Sequence, residues 1–298
     1  MRMVNEKRHS DTQTTTYPMV DGVTLVGETR GPEEAPTIVF AHGFGQTRGA
    51  WAGAARTLAR RGWRTVCFDA RGHGESDRSP GGNYHMQQFV DDLAAVAGAQ
   101  PRPPVLVGAS MGGLLGLAVA GEIRPAPLSG LVLVDITPRW ERAGVERILA
   151  FMRARPEGFG SAEEVADVVA AYLPHRAGRK SAAQLEPMLR RGDDGRLHWH
   201  WDPEMLSTIA HESELYQARL HEAACGIRIP TLLLSGEHSD VVSRRTIEEF
   251  MAWVPHASHV EVAGATHMLA GDANDAFTRE ILQFIQPIFD TTDAGVAG

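Results

Sequence analysis

The chain has 298 residues, enough for one large α/β domain or for a domain carrying an insertion, and enough to bury a sizeable core. Its 37 acidic and 29 basic residues give a formal charge of −8, with no basic footprint for nucleic acid and no polybasic patch for a membrane surface. Cys67 and Cys225 are far apart, the first ten residues lack the apolar run of a secretory signal, and no apolar stretch is long enough to cross a bilayer, so the expectation is a soluble cytoplasmic protein without disulfides.

In chain order, Thr16 to Met19 and Val23 to Glu28 read as two edge strands joined at Asp21-Gly22. Thr37 to Ala41 is an uninterrupted apolar strand that ends in His42-Gly43-Phe44-Gly45-Gln46. A glycine-rich loop after such a strand can present a backbone N–H to a bound carbonyl oxygen, and Phe44 is the expected donor. A helix over Trp51 to Arg61 leads to the strand Arg64 to Phe68 and the loop Asp69-Ala70-Arg71-Gly72-His73-Gly74-Glu75-Ser76. That loop reads as structural, with side chains satisfying backbone groups, and His73 as part of it rather than of the chemistry. After a helix over Met86 to Ala97, the strand Val105-Leu106-Val107 runs into Gly108-Ala109-Ser110-Met111-Gly112. A serine flanked by glycines at a strand-to-helix turn is held in a strained conformation that lifts its hydroxyl above the sheet. The following helix aims its free N–H groups at the same point, with that of Met111 as a second oxyanion donor.

The alternation of strand and helix predicts a parallel, doubly wound α/β sheet with its active groups on loops at the C-terminal strand ends. Leu131 to Val134 continues the pattern and runs into Asp135. A carboxylate at the tip of a buried strand is costly unless something pairs with it, and either a catalytic histidine or loop N–H groups would serve.

From Pro138 to about Ala224 the alternation stops, and helices are predicted over Ala143 to Arg153, Ala162 to Tyr172, Ala182 to Arg191 and near Glu204 to Ala223. This segment reads as a lid over Ser110. It concentrates ten Arg and Lys residues between Arg139 and Arg191, candidates for clamping an anionic substrate. The string His198-Trp199-His200-Trp201-Asp202 fits a metal site poorly and a short strand with one aromatic face at least as well. The sheet resumes at Thr231 to Leu234, followed by Gly236-Glu237-His238-Ser239-Asp240, a helix over Arg244 to Trp253, a strand over His259 to Val262 and a final helix over Asp275 to Phe289. His267, in the loop after the last strand, is placed to hydrogen-bond the serine hydroxyl.

Taken together, H-G-F-G at 42–45, D-A-R-G-H-G-E-S at 69–76, G-A-S-M-G-G at 108–113, G-E-H-S-D at 236–240 and G-A-T-H at 264–267 resemble, in order, the landmarks of the α/β-hydrolase superfamily. The resemblance implies a mostly parallel eight-stranded sheet, a core formed by residues 1–137 and 225–298, and a helical cap, 138–224, inserted after the sixth strand. It implies Ser110 as nucleophile, His267 as general base and acid, and Phe44 and Met111 as oxyanion-hole donors. A serine nucleophile sets the chain apart from the dehalogenase and epoxide-hydrolase branches. The family's usual acid position, three residues after Gly236, holds Ser239, with Asp240 one residue later. Other members place the acid at the end of the preceding strand, where Asp135 stands. Asp135 is the favoured acid and Asp240 the alternative. The expected activity is hydrolysis of a small to medium ester or lactone, without cofactor or metal, by a monomer or homodimer. The alternatives are a C–C bond hydrolase acting on an acidic ring-cleavage product and a non-catalytic binding protein on the same fold.

Overall fold

A computed structural model describes residues 12–173, 178–267 and 274–294. Eight strands form one sheet in the order β1 (Gln13–Pro18), β2 (Thr24–Arg30), β4 (Arg64–Phe68), β3 (Thr37–Ala41), β5 (Val105–Ala109), β6 (Gly130–Val134), β9 (Thr231–Gly236) and β10 (Ser258–Val262). β2 runs antiparallel to β1 and to β4, and every other pairing is parallel. The first strand starts earlier than its sequence suggests. Its threonines pair along β2 up to Gln13, because cross-strand partners rather than apolar residues hold that edge.

The central strands are apolar along their whole length because helices cover both faces. Alternate side chains separate into two cores. Ile38, Phe40, Val105, Val107, Val132 and Val134 face α1 (Ala52–Ala59) and the last helix, α9 (Asn274–Ala294), which contribute Leu58, Phe277, Ile281 and Ile285. Val39, Leu106, Leu131 and Leu133 face α2 (Met86–Gly98), α3 (Met111–Glu122) and α8 (Arg244–Trp253), through Leu93, Leu117 and Phe250 among others. One-residue alternation thus lays half of each strand into each core, which is the doubly wound arrangement.

Between β6 and β9 the chain forms α4 (Arg142–Arg153), α5 (Ala162–Tyr172), α6 (Ala182–Leu185), the hairpin β7 (Leu189–Arg191) with β8 (Leu197–Trp199), and α7 (Met205–Gly226). The helix expected over Ala182 to Arg191 is therefore short. Pro187 follows directly on its last turn, and the next residues pair as a strand instead. α7 is a single long helix whose last turns, with Leu220, Ala223 and Ala224, are buried in the same core as α2 and α3. Among the described residues no helix is long and apolar enough to cross a membrane.

One buried cation ties the N-terminal hairpin to this framework. Arg71, fully buried in the loop after β4, donates to both oxygens of Asp92 on α2 at 2.6 and 2.7 Å and to Asp21 at the β1–β2 turn at 2.7 Å. Removing only the cation leaves the Asp92 carboxylate buried without its counter-charge, which typically costs about 3–5 kcal/mol. Arg71→Leu is therefore expected to lower the urea unfolding free energy by that order, and the double variant Arg71→Leu/Asp92→Leu to recover much of it. Equal loss in the two variants would show that the ion pair itself, not the orphaned charge, carries the effect.

Candidate active site

Ser110 closes β5 and opens α3 with φ 47° and ψ −116°, a left-handed conformation that a side chain rarely adopts. The strain is held from all sides. The Ser110 N–H donates to Val134 O at 3.2 Å, and Gly113 and Leu114 donate back to its carbonyl at 2.9 and 3.0 Å. The flanking glycines are required by close approach. A Cβ on Gly108 would lie 2.4 Å from the carbonyl oxygen of Gly112, and one on Gly112 would lie 2.4 Å from that of Ala41.

Asp135 follows β6, also at positive φ (50°), with none of its side chain exposed. Its Oδ1 accepts from the Gly236 N–H at 2.8 Å, and its Oδ2 accepts from the Ser239 hydroxyl at 2.5 Å and from His267 Nδ1 at 2.8 Å. Because a carboxylate only accepts, Nδ1 carries the proton and Nε2 of a neutral His267 is left as an acceptor. Ser110 and His267 border the same cavity. The other carboxylate goes elsewhere: Asp240 is 37% exposed and pairs with Arg147, whose Nε lies 2.8 Å away and whose guanidinium covers the Tyr172 ring. Ser239, three residues after Gly236, thus donates its hydroxyl proton to Asp135. Its own oxygen accepts from the Val241 and Val242 N–H groups.

The loop after β3 is held by its own backbone and by three histidines. The N–H groups of Gly43, Gly45 and Gln46 donate to Gln46 Oε1, His73 Nε2 and Gly43 O, respectively. Among the described residues no such partner is found for the N–H of Phe44, and Met111, first in α3, has one of the N–H groups that lack an intrahelical acceptor. Both residues border the Ser110 cavity. His42 donates from Nδ1 to Gly43 O and accepts the Ala70 N–H on Nε2, and His73 donates from Nδ1 to Arg71 O. His200, from the inserted segment, accepts the Gly74 N–H on Nδ1 and donates from Nε2 to Gly45 O. Each ring donates once and accepts once, so each is neutral. Burial lowers all three from the usual histidine range, His73 well below it and His200 to about 4.

Sequence reading missed this role of His200. Its alternation with Trp199 and Trp201 suggested a metal ligand or a strand residue, whereas β8 ends at Trp199 and the partners, Gly45 and Gly74, lie more than a hundred residues away in sequence. Of the other members of that string, His198 pairs with Asp194, and Asp202 accepts from the Tyr84 hydroxyl at 2.7 Å. His73 takes the structural part expected of it.

Two cavities meet at Ser110. The first lies among α2, α3, α4 and α7 and is walled by apolar side chains such as Phe89, Leu115, Trp140 and Leu149. The second lies beside Phe151, Tyr172, Trp199 and Trp201, and His267 and Lys180 border it. None of the arginines of the inserted segment lines either cavity among the described residues. Arg139, Arg142, Arg155 and Arg179 pair instead with Glu249, Glu146, Glu164 and Asp167. Arg176 lies outside the described residues.

Residues 36–273 match the family described as the alpha/beta hydrolase fold. The chain belongs to the α/β-hydrolase superfamily. Among relatives of this α/β-hydrolase, the 3-hydroxybutyrate-oligomer hydrolase of Cupriavidus necator is 29% identical over 250 residues, 79% of this chain and 84% of that protein. The sn-1-specific diacylglycerol lipase ABHD11 of Mus musculus is 30% identical over 272 residues, 86% of this chain and 82% of that protein. In fold, the α/β-hydrolase resembles the crystal structure of E-2-(acetamidomethylene)succinate hydrolase with a TM-score of 0.79 at 23% identity, over 92% of this chain and 99% of that one.

The histidine cluster makes the stability of this α/β-hydrolase depend on pH. A histidine of the unfolded chain titrates near 6.5, whereas His200 in the fold titrates near 4. Between these values the unfolded chain binds the proton and the folded chain does not, so stability is complete above pH 6.5 and falls as pH drops toward 4. His200→Gln removes one such group and is expected to flatten the acid limb by up to about 1.4 kcal/mol per pH unit in urea unfolding. Coincident slopes for variant and wild type would show that His200 is not held neutral.

Proposed function

We propose that the protein is a serine hydrolase that cleaves a small to medium carboxylic ester or lactone through an acyl-enzyme intermediate. The observation that carries the reading is the strained turn of Ser110 at a cavity it shares with His267, whose Nδ1 proton is engaged by a buried carboxylate. In this reading His267 Nε2 takes the hydroxyl proton as Ser110 Oγ attacks the carbonyl carbon. The oxyanion is held by the N–H groups of Phe44 and Met111, and the leaving alcohol receives the proton from the imidazolium. Water then repeats the sequence and releases the acid. Asp135 fixes the tautomer and stabilises the imidazolium. Residues 138–224 serve as a cap that shields the reacting bond from bulk water.

The names of the two relatives, a hydrolase of 3-hydroxybutyrate oligomers and a diacylglycerol lipase, support hydrolysis as the reaction class. The C–C bond reading for an acidic substrate draws no support from the arginines that first suggested it, since none of those described lines either cavity and five of them pair with carboxylates elsewhere.

Two measurements test the proposal. A fluorophosphonate is expected to label the wild type and not Ser110→Ala. Asp135→Asn is expected to lower kcat on a p-nitrophenyl ester by about 10⁴-fold, because it favours the wrong histidine tautomer. Asp240→Asn, which loses only an exposed ion pair, is expected to stay near wild type. The reverse ranking of the two aspartates would assign the acid to Asp240.

A further inference from the structure

The two cavities at Ser110 are chemically unlike, and the imidazole borders only one of them. Phe44 and Ser110 line both, Met111 lines the first, and His267 lines the second. In ester cleavage the histidine gives its proton to the departing oxygen, so the alcohol leaves on the side of the imidazole. The acyl group, bonded to Ser110 Oγ and with its carbonyl oxygen toward the two N–H donors, is left on the other side.

We infer, resting on the ester-hydrolase reading above, that the first cavity is the acyl chamber and that it selects an uncharged, apolar acyl chain, while the second cavity receives the alcohol. The walls of the acyl chamber carry the selection. Phe89, Leu114, Leu115, Trp140, Leu149 and Leu220 present hydrocarbon and ring surface, and among the described residues no charged side chain lines it. The hydroxyl of Tyr84 is already committed, accepting from the Ser79 N–H at 3.0 Å and donating to Asp202 at 2.7 Å. A methylene entering such a space gains about 0.8 kcal/mol, a factor of about four in rate. A carboxylate entering it loses its water and finds no counter-charge. The second cavity differs in kind. Trp199 and Trp201 stack 4.8 Å apart there, and Gln46, Lys180 and His267 lie on its wall.

The step balances without a co-reactant other than water. The Ser110 Oγ–carbon bond forms as the hydroxyl proton passes to His267, the carbon–oxygen bond to the alcohol breaks as that proton passes on, and water restores the hydroxyl and yields the carboxylic acid.

The test compares p-nitrophenyl esters that share one leaving group: acetate, butanoate, hexanoate and octanoate, with mono-p-nitrophenyl adipate as the six-carbon chain ending in a carboxylate. From acetate upward kcat/KM is expected to rise about fourfold per methylene until the chamber is filled. Hexanoate is expected to exceed the adipate half-ester by about a hundredfold. Leu149→Arg and, separately, Val145→Arg place a cation at half-buried positions on the chamber wall, and each is expected to reduce that ratio by about tenfold or more. Equal turnover of hexanoate and half-ester by a wild type whose activity is lost in Ser110→Ala would overturn the chamber assignment and leave the hydrolase reading intact. So would a ratio unmoved in both arginine variants. A wild type that turns over none of these esters and is not labelled by a fluorophosphonate would overturn the hydrolase reading, and the assignment with it.

Discussion

A fully buried carboxylate organises this molecule. Asp135 has no exposure to water, so its charge must be met by donors from the protein, and the three that meet it come from different parts of the chain: a strand-end N–H at Gly236, a loop hydroxyl at Ser239 and an imidazole at His267. Satisfying that one group draws together the end of β6, the end of β9 and the loop beyond β10. It also fixes which nitrogen of His267 is protonated, and hence which one can act on a hydroxyl. The positive φ of Asp135, like that of Ser110 next to it across the sheet, is backbone strain held by the surrounding hydrogen bonds.

The opposite wall of the site is built by a different device. Three neutral histidines lock the turn after β3 to the loop after β4 and to the inserted segment, each by one accepted and one donated bond. The peptide groups of Gly45 are held on both sides, by His73 at its N–H and by His200 at its carbonyl. The adjoining N–H of Phe44 gains its position from that clamp. Because His200 belongs to the segment between β6 and β9, that segment and the loop after β3 are coupled directly. Neutrality is essential to the arrangement, since a protonated ring would lose its acceptor and turn a donor toward a donor.

These two walls leave Ser110 between chambers of different chemistry, one without a charged side chain among the described residues and one bordered by Lys180 and His267. The positive charge of the inserted segment, conspicuous in composition, is spent mostly on partners at the surface: Arg147 on Asp240, Arg139 on Glu249, Arg179 on Asp167. Charge content alone therefore misleads about the substrate, because long cations reach carboxylates on neighbouring helices more readily than they enter an apolar cavity.

Much was legible in the chain itself. The strand–helix alternation, the two-faced apolar strands and the glycine-flanked serine are local consequences of sterics and burial, and they specified the doubly wound sheet, the turn at Ser110 and a paired fate for Asp135. Three things required the folded molecule. Asp135 and Asp240 are both carboxylates near strand ends, and only the spatial arrangement shows one facing His267 and the other facing Arg147. Leu189–Arg191 carries a helix-compatible pattern, yet Pro187 and the partner strand Leu197–Trp199 decide its state. His200 has no local feature that names Gly45 and Gly74 as its partners. The division follows from range: a residue's own stereochemistry and periodicity act over a few neighbours, whereas the choice of hydrogen-bond partner is made between segments that meet only when the cores close.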